Sequence, residues 1–205
     1  MKKKWIAGSM AALMLTAGVM PSAQAAGTTV RHTVVPGDTL WKIAVSYQVG
    51  LREIKDANTQ FKNPDLIYPG DNVYIPTTDQ AVTSYEQQVI DLVNEIRKEN
   101  GLSPLTANWQ LSRVARYKAQ EMHDKNYFSH TSPTYGSPMT MIKSFGISCS
   151  RAGENIAMGY KTPEDVVNGW MNSSGHRANI LNASYTQIGV GYVSNGNYWS
   201  QMFIG

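Results

Sequence analysis

The chain has a single cysteine, Cys149, in 205 residues. That excludes an internal disulfide and leaves stability to the hydrophobic core. Cys149 reads first as a small buried hydrophobe, with an intermolecular disulfide or a reactive thiol as the sharper alternatives. Long apolar runs are also scarce. The stretch from Trp5 to Met20 is short for a membrane span and is broken by Pro21. Lys2, Lys3 and Lys4 precede it and Ala23-Gln24-Ala25 follows, the pattern of a secretory signal segment over residues 1–25 with the mature chain starting near Ala26. No cysteine follows that site to accept a lipid, so the expectation is export without a stable membrane anchor after cleavage. Excess charge is missing too. The 18 basic residues lose three with the signal segment, leaving 15 against 15 acidic ones. A neutral mature chain lacks the basic footprint of a nucleic-acid binder.

Punctuation divides what remains into a small module, residues 31–76, a polar linker, 77–83, and a larger module, 84–205. In the small one, His32-Thr33-Val34-Val35 alternates like a strand and Pro36-Gly37-Asp38-Thr39 forms a turn in which Asp38 or Thr39 can cap a helix. Leu40, Ile43, Ala44 and Tyr47 recur at helical spacing, Gly50 stops that helix, and Leu51, Ile54 and Ala57 begin another. Asn63-Pro64 and Pro69-Gly70 frame a loop before the closing strand Asn72-Val73-Tyr74-Ile75. The order is strand, helix, helix, strand.

The segments Val35-Pro36-Gly37-Asp38-Thr39-Leu40-Trp41-Lys42-Ile43-Ala44, Asn58, Leu66-Ile67-Tyr68-Pro69-Gly70-Asp71 and Ile75-Pro76 resemble a LysM domain over the whole module. The resemblance implies binding of N-acetylglucosamine-containing glycan, chiefly peptidoglycan. It places the groove between the turn at Gly37, Asp38 and Thr39 and the loop of Asn63, Pro64, Asp65, Leu66 and Ile67. Amides of such loops can hydrogen-bond an acetamido group while apolar side chains pack on the sugar.

The larger module opens with Thr83-Ser84-Tyr85-Glu86-Gln87, a capping-box pattern. Val89, Leu92, Val93 and Ile96 then mark one helical face, and Gly101 ends the helix. Leu111, Val114, Ala115, Ala119 and Met122 predict a second helix, Met139 to Phe145 a shorter one, and Thr162-Pro163-Glu164 the start of a fourth. Gln187 to Val193 and Tyr198 to Ile204 are β-prone and flank a hairpin turn, Ser194-Asn195-Gly196-Asn197. Helices followed by strands predict an α+β domain with helices packed on an antiparallel sheet.

Three residues carry the candidate chemistry. Glu154 lies in an apolar stretch, Ala152 to Met158, where an unpaired charge would be costly; it is either functional or a structural acceptor for backbone or Arg151 donors. His130 sits in a turn-rich break, and His176 at a helix end, where its charge could complement the dipole. His32 and His123 read as ordinary surface residues. No histidine pair has the spacing of a local metal motif.

The segments Leu92-Val93-Asn94-Glu95-Ile96-Arg97, Gly101-Leu102, Tyr127-Phe128-Ser129-His130, Gly153-Glu154-Asn155-Ile156-Ala157, Trp170-Met171, Ser174-Gly175-His176-Arg177-Ala178-Asn179-Ile180-Leu181 and Thr186-Gln187-Ile188-Gly189-Val190-Gly191 resemble the CAP (SCP-like, pathogenesis-related-1-like) family, and most of all its branch found with LysM in spore-forming bacilli. The resemblance implies an α-β-α sandwich with a cleft of two histidines and two glutamates, in which the histidines can bind zinc. His130 and Glu154 fall on the first of each. Ser173 and Ser184 stand where the second glutamate and second histidine should be. His176 is the candidate substitute, so that His130, Glu154 and His176 could hold one zinc or other divalent ion, with His130 and His176 as its imidazole ligands.

These features imply a secreted protein of the cell wall or spore envelope that binds peptidoglycan, with envelope proteins as a further partner class. The alternative is a peptidoglycan hydrolase or protease using Glu154 with His130, His176 or a metal. A two-carboxylate glycosidase lacks its second acid. A thiol peptidase built on Cys149, His176 and Asn179 would have its nucleophile unusually deep in the domain.

Overall fold

A computed structural model describes residues 29–205, with only the backbone of Gln80 and Ala81; the signal segment expected at 1–25 lies outside the described residues. The first unit is β1 (Thr29–Thr33), α1 (Leu40–Ser46), α2 (Leu51–Ala57) and β2 (Asn72–Pro76), with β1 and β2 antiparallel. Thr39 caps α1 by accepting from the Lys42 amide at 3.2 Å. Val34, Leu40, Ile43, Ile54, Val73 and Ile75 bury together as its core. Asn58 closes that core from below. It accepts from the Tyr74 amide at 2.7 Å and donates to the carbonyls of Ile54 and Tyr74.

The second unit contains α3 (Gln80–Glu99), β3 (Thr106–Ala107), α4 (Trp109–Asp124), α5 (Pro138–Ser144), β4 (Ala152–Met158), α6 (Pro163–Met171), α7 (Ser174–Ile180), β5 (Gln187–Val193) and β6 (Tyr198–Ile204). Its sheet runs β3-β5-β6-β4. Only β3 pairs in parallel, and β4 is an edge strand. The molecule is thus α+β, as the sequence predicts.

Strand alternation assigns the layers. On β5, Ile188, Val190 and Tyr192 face the cluster of Val89, Val93, Val166 and Trp170 from α3 and α6. The intervening Gly189 and Gly191 face α4. A Cβ at either would strike the α4 backbone, at Ser112 and Leu111 or at Arg116 and Ala115. On β6, Trp199 and Phe203 join the first cluster, while Met202 and Ile204 join Leu111, Val114, Met141 and Ile142 of α4 and α5. The result is an α-β-α sandwich with glycines letting α4 lie directly on the sheet.

Three local expectations are corrected. The helix read from Thr83 begins at Gln80, inside the expected linker, so only Thr77, Thr78 and Asp79 separate β2 from α3. Glu86 is not a capping residue. It is buried and takes Arg116 through hydrogen bonds of 2.5–2.9 Å, and it accepts from the Tyr192 amide at 3.1 Å. His176 occupies the N-terminal turn of α7, where the helix dipole opposes rather than favours protonation.

Candidate functional site

Glu154 and Asn155 are neighbours on the edge strand β4 and point to opposite faces of the sheet. Glu154, in register with Met202, faces the α4 layer; Asn155, in register with Gln201, faces α6 and α7. The side chain of Glu154 is 1% exposed and that of His130 is 52% exposed, with His130 Nδ1 2.9 Å from Glu154 Oε1. The carboxylate therefore fixes the inner ring nitrogen and leaves Nε2 turned outward. Glu154 Oε2 is buried without a hydrogen-bonding partner among the protein atoms. Its charge is offset instead by the fully buried Lys118 of α4, whose ammonium also interacts electrostatically with Glu121.

Lys118 and Glu121 hold the loop that carries His130. Lys118 Nζ donates to the His130 carbonyl and the Tyr127 hydroxyl, both at 3.1 Å. Burial pushes its pKa down, against the pull of Glu154 and Glu121. Glu121 accepts from Tyr127 at 2.7 Å, Ser132 at 2.6 Å and Lys125 at 3.0 Å, and also from Thr134. One carboxylate thus ties down residues 127–134 from both ends.

His176 arrives from the other layer. Its carbonyl accepts from Asn155 Nδ2 at 3.1 Å, and Asn155 also donates to Gln201 Oε1 at 2.9 Å. Asn179 donates to the Glu154 carbonyl at 3.1 Å and to Asn155 Oδ1 at 2.8 Å. Gly153 leaves room for this network, because a Cβ there would strike the Tyr185 hydroxyl. The two imidazoles are close enough to sense each other. Burial, then the charge of His130, lowers the pKa of His176, whereas the Glu154 hydrogen bond raises that of His130 despite partial burial. A proton therefore goes to His130 first.

His130, Glu154 and His176 are brought to one edge, but not as a three-ligand metal set. Among the described residues no three or more His, Cys, Asp or Glu side chains are grouped to hold a metal ion. Glu154 Oε1 is engaged by His130 Nδ1 and its Oε2 is buried, which leaves the two imidazoles as the accessible donors. Cys149 lies apart, with its Sγ 3.5 Å from Met139 Sδ in the α4–α5 cluster, so it forms no thiol dyad with His176. Ser173 is the N-terminal boundary residue of α7, and the Ser184 amide donates to Asn182.

In the small unit, Gly37 has φ +91°, a left-handed turn conformation. Asp38 is used to build that turn. It accepts from the Val35 amide and pairs with His32 Nε2, both at 2.9 Å, and these two contacts lower its pKa in that order. His32 is therefore a turn-bracing residue and not a bystander. Asn63 accepts from the Asp65 amide at 3.0 Å, Asp65 pairs with Lys55 at 3.1 Å, Leu66 is exposed, and Ile67 packs on the core. A surface cavity under this loop is lined by Phe61, Asn63, Leu66 and Tyr68.

Sequence reading missed Lys118, Glu121, Asn155 and Gln201, all polar residues in otherwise core-forming stretches. Their signal was available at Lys118 and Glu121, which interrupt the buried helical face of α4. The titration order above gives a direct check. By imidazole NMR, His130 is expected to titrate above the ordinary histidine value and His176 below it. Glu154→Gln should move His130 downward. An unmoved His130 in that variant would mean the pair does not form in solution.

The model of the CAP family, described as the cysteine-rich secretory protein family, matches residues 90–204, and that of the LysM domain matches residues 32–76. The YkwD protein of Bacillus subtilis is 60% identical over 125 residues, covering 61% of this chain and 49% of its own length. The spore coat assembly protein ExsA of Bacillus cereus is 52% identical over 46 residues, 22% of this chain and 7% of its own length. Among solved structures, an extracellular Bacillus anthracis protein with an SCP domain aligns at TM-score 0.59 with 35% identity, covering 66% of this chain and 47% of that one. The chain spans about half or less of the length of these relatives.

Proposed function

The chain belongs to the CAP, or cysteine-rich secretory protein, family and carries a LysM domain, and on that footing we propose that it is an exported protein of the cell wall or spore envelope. In this reading the LysM domain, residues 31–76, holds N-acetylglucosamine-containing glycan, and the CAP domain, residues 84–205, presents the His130 cleft to a ligand. The observation that carries the cleft reading is the contrast within one pair: an outward imidazole whose inner nitrogen is fixed by a nearly inaccessible carboxylate. Among the described residues no helix is long and apolar enough to cross a membrane. A relative of the LysM segment bears the name of a spore coat assembly protein, which supports an envelope location.

Hydrolysis of the wall polymer is the second reading, and the same pair favours it. A histidine oriented through Nδ1 by a carboxylate is arranged to accept and return a proton at Nε2. Glu154 is too buried to meet a polymer itself, so its part would be to orient His130 and stabilise the imidazolium. Co-sedimentation with purified insoluble peptidoglycan, followed by assay of released fragments, tests both readings. Wild type is expected to pellet with the polymer and to be displaced by N-acetylglucosamine oligomers. Protein left in the supernatant would overturn the glycan assignment. Fragment release that disappears in both His130→Ala and Glu154→Gln would establish the hydrolase reading, and release unaffected by either would remove it.

A further inference from the structure

We infer that the LysM domain is locked onto helix α4 of the CAP domain through Glu53 and Arg113, so that the two move as one body and not as beads on a string. Domains joined by a linker move relative to each other unless specific contacts hold them. Arg113 Nε and Nη2 meet the two oxygens of Glu53 at 2.5 and 2.8 Å, a bidentate pair with both side chains about four-fifths covered. On its CAP side the guanidinium lies over the rings of Phe145 and Tyr117, with its carbon 5.0 and 5.5 Å from their centroids. Those rings meet edge to face at 5.0 Å, which gives Arg113 a braced platform. Burial, followed by the nearby Glu53 carboxylate, pushes the Tyr117 hydroxyl up to about 12.

Gly50 lies directly against the same pair. Its backbone, φ −70° and ψ 144°, is one that any residue adopts. Space is what requires glycine: a Cβ would overlap the Arg113 guanidinium and Glu53 Oε2. A side chain at 50 requires the guanidinium and the carboxylate to move from their present positions. The connection reinforces this closeness. Three residues, Thr77 to Asp79, join β2 to α3 and reach roughly 10 Å when extended. Thr77 and Thr78 also line the cleft at the junction, together with Val49 and Tyr117 on its two sides.

A glycan held as proposed above would then stand at a fixed angle to the His130 cleft. The docking itself does not depend on that reading, so its test contains no glycan. Backbone 15N relaxation of the mature chain, residues 26–205, gives a tumbling time for each domain. In wild type the two are expected to agree. In Arg113→Glu, in Glu53→Arg, and in Gly50→Leu, which removes neither charge but crowds the pair, the LysM value should fall about twofold or more below that of the CAP domain. Two tumbling times in wild type, or a common time that survives the single exchanges, would each overturn the lock.

Discussion

Gly191→Ala is expected to cost roughly 3 kcal/mol or more of folding stability, read as a lowered urea midpoint at unchanged slope. The added Cβ would meet the Arg116 amide nitrogen and the Ala115 carbonyl carbon closer than real side chains approach. Both are backbone atoms of α4, so no rotamer change relieves the overlap; the helix must lift from β5 or the strand must bend. Lifting α4 also has a functional consequence, because the same helix carries Lys118 and Glu121, which seat the His130 loop. The imidazole resonance of His130 should therefore shift even in the folded fraction. Gly175→Ala provides the contrast. Nothing lies within 4 Å of a Cβ at that position in α7, and alanine is the better helix former by about 0.8 kcal/mol, so this variant should match or exceed wild type. A Gly191→Ala protein as stable as wild type would mean that α4 does not lie directly on the strand.

The pair of glycines in Gly189-Val190-Gly191 also illustrates what the sequence made legible. Its alternation of glycine with large apolar residues fits a strand with one face pressed against backbone, and β5 spans the residues expected, Gln187–Val193; only the folded chain shows that α4 is the helix pressing on it. The LysM pattern is readable almost residue by residue because Thr39 and Gly37 act locally, through a cap and a turn, while Asn58 reaches only as far as Tyr74 of the same short module. Glu86 shows the same limit in reverse. A Thr-x-x-Glu spacing is a local signal, but burial beside Arg116 and the Tyr192 amide, 106 positions away, outweighed it. At the cleft, His130 and Glu154 could be named from sequence, yet their roles could not. Only the layer assignment of β4 shows that the carboxylate is hidden and the imidazole exposed, and only the loop's closure shows why Lys118 is buried beneath them.

Glu121→Gln is expected to lose roughly 3 kcal/mol at neutral pH, with a loss that shrinks in acid. Burial alone would raise this carboxyl, but hydrogen bonds from Ser132, Thr134, Tyr127 and Lys125 outweigh it and hold the folded pKa at about 2 against an ordinary 4.5. A depressed carboxylate contributes stability that is complete above its unfolded pKa and is lost as pH falls through the folded one. A drop of that size is worth about 3 kcal/mol at 1.36 kcal/mol per pKa unit, and it disappears between pH of about 5 and about 2. Glutamine keeps the shape but turns an amide donor toward hydroxyls and an ammonium that already donate, so it recovers little of the carboxylate's hydrogen bonding. Urea melts of wild type and variant at stepped pH isolate this group, because Asp38 and the other carboxylates cancel in the difference. The gap between the two should be widest near neutrality and should narrow steadily below pH of about 5. A gap that stays constant to pH of about 2 would show that the charge on Glu121 is not what ties residues 127–134 to α4. The expected narrowing would mean that acid loosens the loop under His130 in the same range in which it titrates the carboxylate holding that loop.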